Sequence, residues 1–588
     1  MAELRILPLN ISVRTRKGET VRDALYRAGV ELETPCNGQG ICGKCLVRVD
    51  SPEDVPETPH KEITEEQARD GIRLACRLMP KNDMTIRLLS EYSRDEHRNL
   101  EGDRDPVFSE WAQSPAEADA SKRHLQDSES RMKNQPAVEL DCSGEQCLIR
   151  YDGGAAATLR PWRKETVAKG LAIDLGTTSL VVTLIDLSSG RELATTSSLN
   201  PQIRFGHDVV RRIQKGSTPE GLAELSECVR DGLNHLIEQA CEDSGAELQE
   251  VLDVVIGGNT TMLQLAASVD PEPLGQVPFT VGLASGRTYP ASQFGLNVHP
   301  AARVYVPPIL HAYIGADISA GLLVSRKFFA ADAATMLFVD IGTNGEMGLS
   351  AGGRYLMTST AAGPAFEGMG ISAGMRARIG AVEAVTTDGK SQFQIHTIGN
   401  APPQGICGSG IVDLTAALFR LGVIDVSGRM RKPGETGGLP EEISARLSEI
   451  NGIPAFHLGK NVYFTQEDVR QVQLAKSALR AAIDILLQEA EQDYRHLDRI
   501  VLAGGFGYSL RAGNLEVIGL LPPGTADKVY FAGNTSRIGC VRMLCNVGYR
   551  RFLEEKMGSV QHVSIETRPD FMEQYVASME FPEPEESR

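Results

Sequence analysis

The stretch LAIDLGTTSLVVTLIDLSSGRELAT, residues 171–195, recurs in diverged form as MLFVDIGTNGEMGLSAGGRYLMTST, residues 336–360. Each copy predicts an apolar strand, an Asp-x-Gly-Thr turn, a second strand, a Gly-containing turn and a third strand. Self-similarity on this scale indicates an internal duplication. The two copies therefore predict two similar α/β halves within one chain.

Later segments of the two halves also correspond. VVIGGNTTM (254–262) and IVLAGGFGYSL (500–510) each predict a strand, a Gly-Gly turn and the start of a helix. GADISAGLLVS (315–325) and GNTSRIGCVRML (533–544) each predict a helix rich in small residues. Paired halves of this kind predict two lobes around a pseudo-twofold axis, with a cleft between them.

The two Asp-x-Gly-Thr turns predict a nucleotide site, although the sequence has no GxxxxGK[ST] motif. A tight hairpin presents backbone N–H groups and hydroxyls to phosphate oxygens. Asp174 and Asp340, at the strand ends, are expected to act in catalysis by holding Mg²⁺, mostly through its waters. The residues predicted to contact ATP are Gly176, Thr177, Thr178, Gly342, Thr343 and Asn344, together with Gly504, Gly505 and Gly507 of the AGGFG turn. A single such turn also fits an ordinary hairpin, but the duplication favours phosphate binding.

Four cysteines predict an iron–sulfur site. Three of them lie in CNGQGICGKC (36–45) and one in RLACRL (73–78). Four thiolates are the ligand set of a 2Fe-2S cluster, and the glycines of the first segment let the backbone wrap closely around the sulfurs. A structural zinc site is the alternative, but it usually pairs two C-x2-C knuckles. The predicted ligands are Cys36, Cys42, Cys45 and Cys76.

The composition narrows the function further. A net charge of −17 over 588 residues argues against a general binder of nucleic acid or of an anionic membrane. Neither a targeting segment nor a membrane-length apolar run is visible, so a cytoplasmic protein is expected. Two further pairs, Cys142/Cys147 and Cys540/Cys545, lack partners at metal spacing and are interpreted as buried or incidental thiols.

The predicted organisation is a 2Fe-2S domain over residues 1–90, a linker and connecting region over 91–165, and two lobe halves over 166–330 and 331–588. The first part of the linker, 91–135, is polar and charged, which predicts a flexible or weakly helical segment. The predicted local elements are a strand over 6–15, a turn at Lys17-Gly18, a helix over 20–28 capped by Thr20 and stopped by Gly29, and strands over 46–49 and 147–151.

The nucleotide residues resemble the ASKHA superfamily of ATPases, which includes acetate and sugar kinases, Hsp70 and actin. More closely, nearly the whole chain outside 91–165 resembles the reductive activators of corrinoid proteins. That resemblance rests on long blocks: SLNPQIRFGHDVVRRI, GGNTTMLQL, VYVPPILHAYIGADISAGL, DIGTNGEMGL, STAAGPAFEGMGI, GICGSGIVDL, TQEDVRQVQLAKSALRAAI and LAGGFGYSL.

The resemblance implies an α+β and α/β multidomain protein: a β-grasp 2Fe-2S ferredoxin domain, a polar linker and a duplicated ASKHA domain. It implies ATP-dependent return of a corrinoid protein from Co(II) to Co(I), with a 2Fe-2S cluster, ATP and Mg²⁺ as cofactors. The expected partners are the corrinoid protein and an upstream low-potential electron donor. A homodimer is left open, because the segment 91–165 is short for the linker of this family.

Three rival interpretations stand beside this one. An activator of the 2-hydroxyacyl-CoA dehydratase type is also a redox ASKHA ATPase, but it lacks a ferredoxin domain. A redox-regulated ASKHA small-molecule kinase remains a second alternative. An Hsp70-like binding protein is disfavoured, because no β-rich peptide-binding domain follows the two lobes.

Overall fold

The computed structural model divides the chain into two compact units. The first comprises Met1–Glu96 and Pro201–Arg212, and the second His97–Asn200 and Ile213–Arg588. The structure describes residues 2–7, 11–16, 18–27, 45–50, 63, 65–80, 82–88, 123–124, 134–142, 147–152, 154, 157–159, 162, 166–206, 208–324, 326–329, 335–389, 392–504 and 510–583. None of the helices within these ranges is long and apolar enough to span a membrane.

The first unit is built on a mixed sheet in the order β2-β1-β5-β3-β4, with β1 and β5 parallel. Leu4, Ile6 and Ile86 are fully buried and contribute to its core. The elements are β1 (Glu3–Leu7), β2 (Ile11–Arg14), α1 (Val21–Arg27), β3 (Leu46–Val49), α2 (Glu65–Arg69), β4 (Ile72–Leu74) and β5 (Met84–Leu88).

The prediction of one strand over 6–15 is wrong, because this segment contributes to two strands. β1 and β2 pair antiparallel with Ile6 opposite Ile11. Alternating apolar residues occur on both sides of the reversal, so periodicity alone did not reveal the hairpin. The cap is confirmed, since Thr20 Oγ1 accepts from Asp23 N (3.2 Å) at the start of α1. Lys17, Ala28 and Gly29 lie outside the described residues, while strand 46–49 is confirmed.

The first lobe of the second unit carries a sheet in the order β12-β11-β10-β13-β15-β14. Its central strands β10, β13 and β15 are parallel, and β11 and β12 extend it as an antiparallel meander. The elements are β10 (Lys169–Leu175), β11 (Ser179–Asp186), β12 (Arg191–Leu199), α3 (Val209–Gly216), α4 (Pro219–Ser244), β13 (Val251–Gly258), α5 (Thr260–Ala266), β14 (Arg287–Pro290), β15 (Arg303–Val306) and α6 (Ala316–Leu322).

The second lobe repeats this arrangement. Its sheet runs β27-β18-β17-β16-β25-β26-β6, with β16, β25 and β26 parallel. The elements are β16 (Met336–Ile341), β17 (Gly345–Ala351), β18 (Arg354–Thr360), β19 (Ala381–Thr387), β20 (Phe393–Thr397), β21 (Gly405–Ile406), α7 (Gly408–Arg420), α8 (Glu441–Ser444), β22 (Leu447–Ile450), β23 (Ile453–His457), β24 (Tyr463–Thr465), α9 (Gln466–Glu489), β25 (Arg499–Ala503), α10 (Ala512–Val517), β26 (Val529–Gly533), α11 (Thr535–Cys545), α12 (Val547–Met557), β27 (Val560–His562) and α13 (Phe571–Ala577). Strand β6 is Arg123–His124.

The predicted duplication is therefore confirmed at the level of topology. Each lobe has an antiparallel three-strand meander whose first strand pairs in parallel with the strand of the Gly-Gly segment. The two small-residue segments form α6 and α11, and these helices pack against each other. One apolar cluster contains Ala172 of β10, Phe338 of β16, Ile318 of α6 and Val541 of α11, so the helix pair shares a core with both sheets.

Within the second unit, the region before the first lobe forms a small sheet that contacts that lobe. The predicted strand 147–151 is confirmed as β8 (Cys147–Tyr151), between β7 (Val138–Asp141) and β9 (Ala157–Leu159). Tyr151 Oη lies 2.8 Å from the carbonyl oxygens of both Leu252 and Ala301, to either of which its one hydroxyl hydrogen can be donated. This small sheet thereby anchors the connecting segment to the first lobe.

The predicted flexible or weakly helical segment 91–135 is described only at 123–124 and 134–135. Arg123–His124 forms strand β6, in which Arg123 pairs with Tyr530 of β26, so the expectation is wrong for these two residues and stays a prediction for those outside the described ranges. Edge strands offer unpaired backbone groups to any extended segment, whatever its side chains. Cys142 and Cys147 form a disulfide, so they are not separate thiols. Cys540 and Cys545 are buried thiols, as predicted.

We predict that the crossing of α6 and α11 does not tolerate a methyl group at Gly539. A Cβ atom there would lie 2.0 Å from Ala320 O, so Gly539→Ala forces the helices apart. Overpacking of this kind costs about 1–3 kcal/mol. Denaturant unfolding of the full chain should show that loss, whereas Gly513→Ala on α10, with nothing within 4 Å of its Cβ position, should not be destabilising. Equal stability of the two variants would contradict the prediction.

Candidate functional site

The two Asp-x-Gly-Thr turns adopt tight hairpins, and in the first of them the space requires glycine. Gly176 N donates to Ser179 O (2.9 Å), and Gly342 N donates to Asn344 O (3.0 Å). A Cβ atom on Gly176 would lie 2.8 Å from Ser179 O, closer than real Cβ contacts allow. Glycine lets each chain reverse directly after its aspartate. The loops thus take the form that the sequence predicted for phosphate binding.

Strand register brings each aspartate to a glycine-rich turn of the neighbouring parallel strand. Asp174 is paired with Gly257 of β13, and Asp340 with Ala503 of β25. Gly504 follows with φ +111°, and a Cβ atom there would lie 2.7 Å from Ile341 O. No side chain could therefore be carried at position 504 beside Asp340 without displacing backbone. Gly505 and Gly507 lie outside the described residues.

Asp174 is held by the N-terminus of α11. Its carboxylate oxygens accept from Asn534 Nδ2 and Ser536 Oγ, both at 2.7 Å. Burial raises the pKa of Asp174, and the two hydrogen bonds act in the opposite direction. An aspartate from the first lobe is thereby fixed by side chains from the second half of the sequence.

Asp340 and Asp317 form an acidic centre with Asp174. Burial raises the pKa of Asp340 to about 7, with repulsion from Asp174 adding to the effect. Burial likewise raises the pKa of Asp317 to about 7, and repulsion from Asp340 reinforces it. Burial and these neighbours raise the pKa of Glu346 well above its usual range, although Ser359 donates to it. Arg537 stabilises the charge of Asp174, whereas the pKa values of Asp340 and Asp317 are raised by burial and by their acidic neighbours. Buried carboxylates that repel one another fit a site that receives a divalent cation.

Sequence reasoning missed Asp317 and Glu346 as members of this centre. Asp317 lies in the first turn of α6, and Glu346 is the second residue of β17. Their proximity to the loops comes from the packing of α6 and from the pairing of Asp340 with Glu346 across β16 and β17. The sequence indicated only that Asp317 and Glu346 each belong to a segment of the internal repeat.

Direct metal ligation is a separate question. Among the described residues, no group of three or more His, Cys, Asp or Glu side chains is placed to hold a metal ion. The expectation from the sequence was that Mg²⁺ is held mostly through its waters, which needs longer separations than direct contacts.

Hydrogen bonds connect the loops to their surroundings. Asn259 Nδ2, at the start of α5, donates to Thr177 Oγ1 (2.8 Å). Thr178 Oγ1 donates to Glu367 Oε2 (3.3 Å), and Thr343 Oγ1 donates to Glu367 Oε1 (2.5 Å). One carboxylate thus contacts hydroxyls of both loops. The structure brings the predicted threonines together through a glutamate that sequence reasoning did not identify.

Two of the four predicted cluster ligands lie in the described part of the first unit. Cys45 directly precedes β3 and Cys76 is the second residue after β4, and both side chains are buried. β3 and β4 pair antiparallel, and Ala75 N donates to Cys45 O (2.8 Å). Both thiols therefore sit at the same end of one strand pair, which fits two ligands of a common cluster. Cys36 and Cys42 lie outside the described residues.

Comparisons with known proteins agree with this division of the chain. Residues 4–81 match the 2Fe-2S iron-sulfur cluster binding domain family. Residues 169–327 match the RACo middle region, and residues 334–588 match the C-terminal domain of RACo, the ASKHA domain. The predicted fold, a ferredoxin-type domain joined to a duplicated ASKHA-type domain, is confirmed.

Similar proteins match between 62% and 99% of the chain. A corrinoid activation enzyme, RamQ of Eubacterium limosum, is 30% identical over 95% of this chain and 96% of its own length. A Methanosarcina barkeri reductase of the Co(II) methylated amine-specific corrinoid protein is 28% identical over 62% of this chain and 68% of its own. The solved structure of a reductive activator for corrinoid, iron-sulfur protein superposes with a TM-score of 0.69 at 28% identity, over 99% of this chain and 98% of that one. The chain therefore belongs to the family of corrinoid-activation enzymes.

Proposed function

We propose that this chain returns the cobalt of a corrinoid protein from Co(II) to Co(I) at the expense of ATP, with a 2Fe-2S cluster as the one-electron carrier. The observation that carries the proposal is the union of a ferredoxin-type domain and an ASKHA-type domain in a chain that matches a corrinoid activation enzyme over 95% of its length. An upstream low-potential donor supplies the electron, and the corrinoid protein receives it.

The energetic requirement explains why a nucleotide domain accompanies a ferredoxin domain. A gap of about 250 mV between donor and cobalt costs roughly 6 kcal/mol for one electron. ATP can offset that cost only by binding differently to two conformations of the protein or of its complex. Closure of a cleft between two lobes is a transition of this type.

We assign four thiolates to the cluster and the two loops to the nucleotide. Cys45 and Cys76, buried at one end of the β3–β4 pair, are joined in this assignment by Cys36 and Cys42. Asp174 and Asp340 hold the waters of Mg²⁺, and burial of charge around them favours the bound cation. The residues assigned to the phosphates and the nucleoside are Gly176, Thr177, Thr178, Gly342, Thr343, Asn344, Gly504, Gly505 and Gly507.

The cluster assignment predicts a brown protein with about two irons per chain and a 2Fe-2S paramagnetic signal after reduction. Cys42→Ala should remove the iron while leaving nucleotide binding measurable, because that thiolate belongs to the ferredoxin domain. Cys241→Ala, which removes a buried thiol from α4, is the matched control and should keep the iron. Stoichiometric zinc without iron after anaerobic purification would refute the assignment.

The whole function is tested by mixing the chain with a corrinoid protein held as Co(II), a low-potential reductant and Mg²⁺-ATP, and following Co(I) by its absorbance. Asp174→Asn and Asp340→Asn should each lower the ATP-dependent rate tenfold or more, because each removes a charge that faces a divalent ion. Asp527→Asn, at an exposed position, should leave the rate unchanged. Co(I) formation that is equally fast without ATP would reject the proposal.

The acidic centre predicts a pH dependence of the metal-free chain. With a pKa of about 7 in the folded state and 3.8 as its ordinary value, Asp340 keeps a proton that the unfolded chain has lost. The folded state binds more protons between these values, so stability should fall as pH rises from about 4 to 7. Asp340→Asn removes this dependence on pH. By pH 8 its free energy of unfolding should exceed that of the wild type by a few kcal/mol.

Denaturant unfolding at pH 5.5 and pH 8, with and without millimolar Mg²⁺, measures this effect. Mg²⁺ should stabilise the wild type more at pH 8, where the carboxylates are ionised, than at pH 5.5. Asp527→Asn serves again as the control for loss of one negative charge. Parallel stability profiles for wild type and Asp340→Asn would show that Asp340 does not titrate in this range.

A further inference from the structure

A single carboxylate joins the two phosphate loops. Glu367 Oε1 accepts from Thr343 Oγ1 at 2.5 Å, and Glu367 Oε2 accepts from Thr178 Oγ1 at 3.3 Å. One oxygen of the carboxylate thus accepts a hydrogen bond from the second copy of the duplicated turn, and the other oxygen accepts one from the first copy. A phosphate group that touched both loops would require the same two donors.

The backbone that carries Glu367 is fixed. It ends the 3-10 turn Pro364–Glu367, in which Ala365 and Phe366 are buried in the core of the second lobe. Gly363 N donates to Thr343 O (2.9 Å), which ties this turn to the second loop. A Cβ atom on Gly368, at φ +78°, would lie 2.8 Å from Met375 O. Rotation about its own side-chain bonds would therefore let the carboxylate leave the loops without a change in this backbone packing.

Charge decides what happens when a nucleotide arrives. A carboxylate and a phosphate are both anions that only accept hydrogen bonds when ionised, so they cannot share the two hydroxyls. We propose that Glu367 stands in for the terminal phosphate of ATP in the nucleotide-free chain, and that ATP must displace it to bind. This inference rests on the proposed nucleotide site.

The proposal distinguishes ATP from ADP. ADP lacks the terminal phosphate, so it can bind while Glu367 keeps both threonines. ATP cannot, and it has to release the contact between Glu367 and Thr178. The Glu367 side chain therefore reports which nucleotide is bound, and it lowers the affinity for ATP in particular.

The test is the nucleotide affinity of Glu367→Gln, measured by isothermal titration of the full chain with Mg²⁺-ATP and Mg²⁺-ADP. The amide has nearly the same shape but no charge, and its nitrogen cannot accept from a threonine. We expect the Kd for ATP to fall about tenfold and the Kd for ADP to change less than threefold. Glu449→Gln, at an exposed position of β22, makes the same charge change and should alter neither value. Thermal unfolding of both variants checks that they are folded.

Each result has one interpretation. A tighter complex with ATP alone supports the proposal. Unchanged or weaker ATP binding by Glu367→Gln would overturn it, and the weaker case would make Glu367 a metal-binding or water-positioning residue. Equal gains for ATP and ADP would overturn the assignment to the terminal phosphate. A wild-type chain that binds neither nucleotide would overturn the proposed function as well, so the two failures can be told apart.

Discussion

Mutual repulsion among buried carboxylates is the constraint on which the nucleotide domain depends. The parallel strand pairs place Asp174 and Asp340 at corresponding positions of the two lobes, and α6 adds Asp317. Burial raises the pKa of each of these carboxylates. Repulsion from acidic neighbours raises the pKa of Asp340 and Asp317 further. A protein keeps such a group buried by hydrogen bonds or an ion pair, by holding a proton, or by binding a cation, and Asp340 and Asp317 have the raised pKa that favours the last two. These buried carboxylates therefore support the proposal that this domain binds a metal-bound nucleotide.

The same residues connect the acidic centre to the helices between the lobes. Asp317 belongs to the first turn of α6, while Asn534 and Ser536 at the start of α11 bind Asp174. These helices cross where Gly539 approaches Ala320 too closely for any side chain. Because the contact is tight, the helices can shift only as a pair or by sliding. Two carboxylates of the acidic centre are therefore attached directly to the helix pair that shares a core with both sheets.

The sequence was sufficient for features that are local or repeated. Three features that depend on neighbouring residues are confirmed: the hairpin form of the two Asp-x-Gly-Thr turns, the Thr20 cap and strand Cys147–Tyr151. The duplicated topology could be predicted because two copies of one pattern support each other. The predicted single strand over 6–15 failed, since apolar alternation continues on both sides of the β1–β2 reversal and does not mark the turn.

Contacts between distant segments could not be predicted in the same way. Glu367 reaches Thr178, and Asn534 reaches Asp174, across long stretches of sequence that carry no local signal of proximity. The disulfide between Cys142 and Cys147 was missed because the expected compartment favours thiols and spacing alone does not distinguish the two states. Asp317 and Glu346 became visible as site residues only once strand register and helix packing were known.

The two proposed sites are built from different parts of the chain, and this limits how ATP can drive electron transfer. All four assigned cluster ligands come from residues 36–76, whereas the assigned nucleotide residues come from 174–507. Since no assigned residue belongs to both sets, ATP cannot tune the cluster through a common ligand. Coupling must instead be a difference in free energy between conformations that both sites sense, and such coupling is reciprocal. It follows that a corrinoid partner that prefers the ATP-bound conformation must also increase the affinity for ATP. Reciprocal coupling requires that the ATP-bound and ADP-bound chains differ in structure. If ATP alone displaces Glu367 from Thr178 and Thr343, the position of this side chain supplies such a difference.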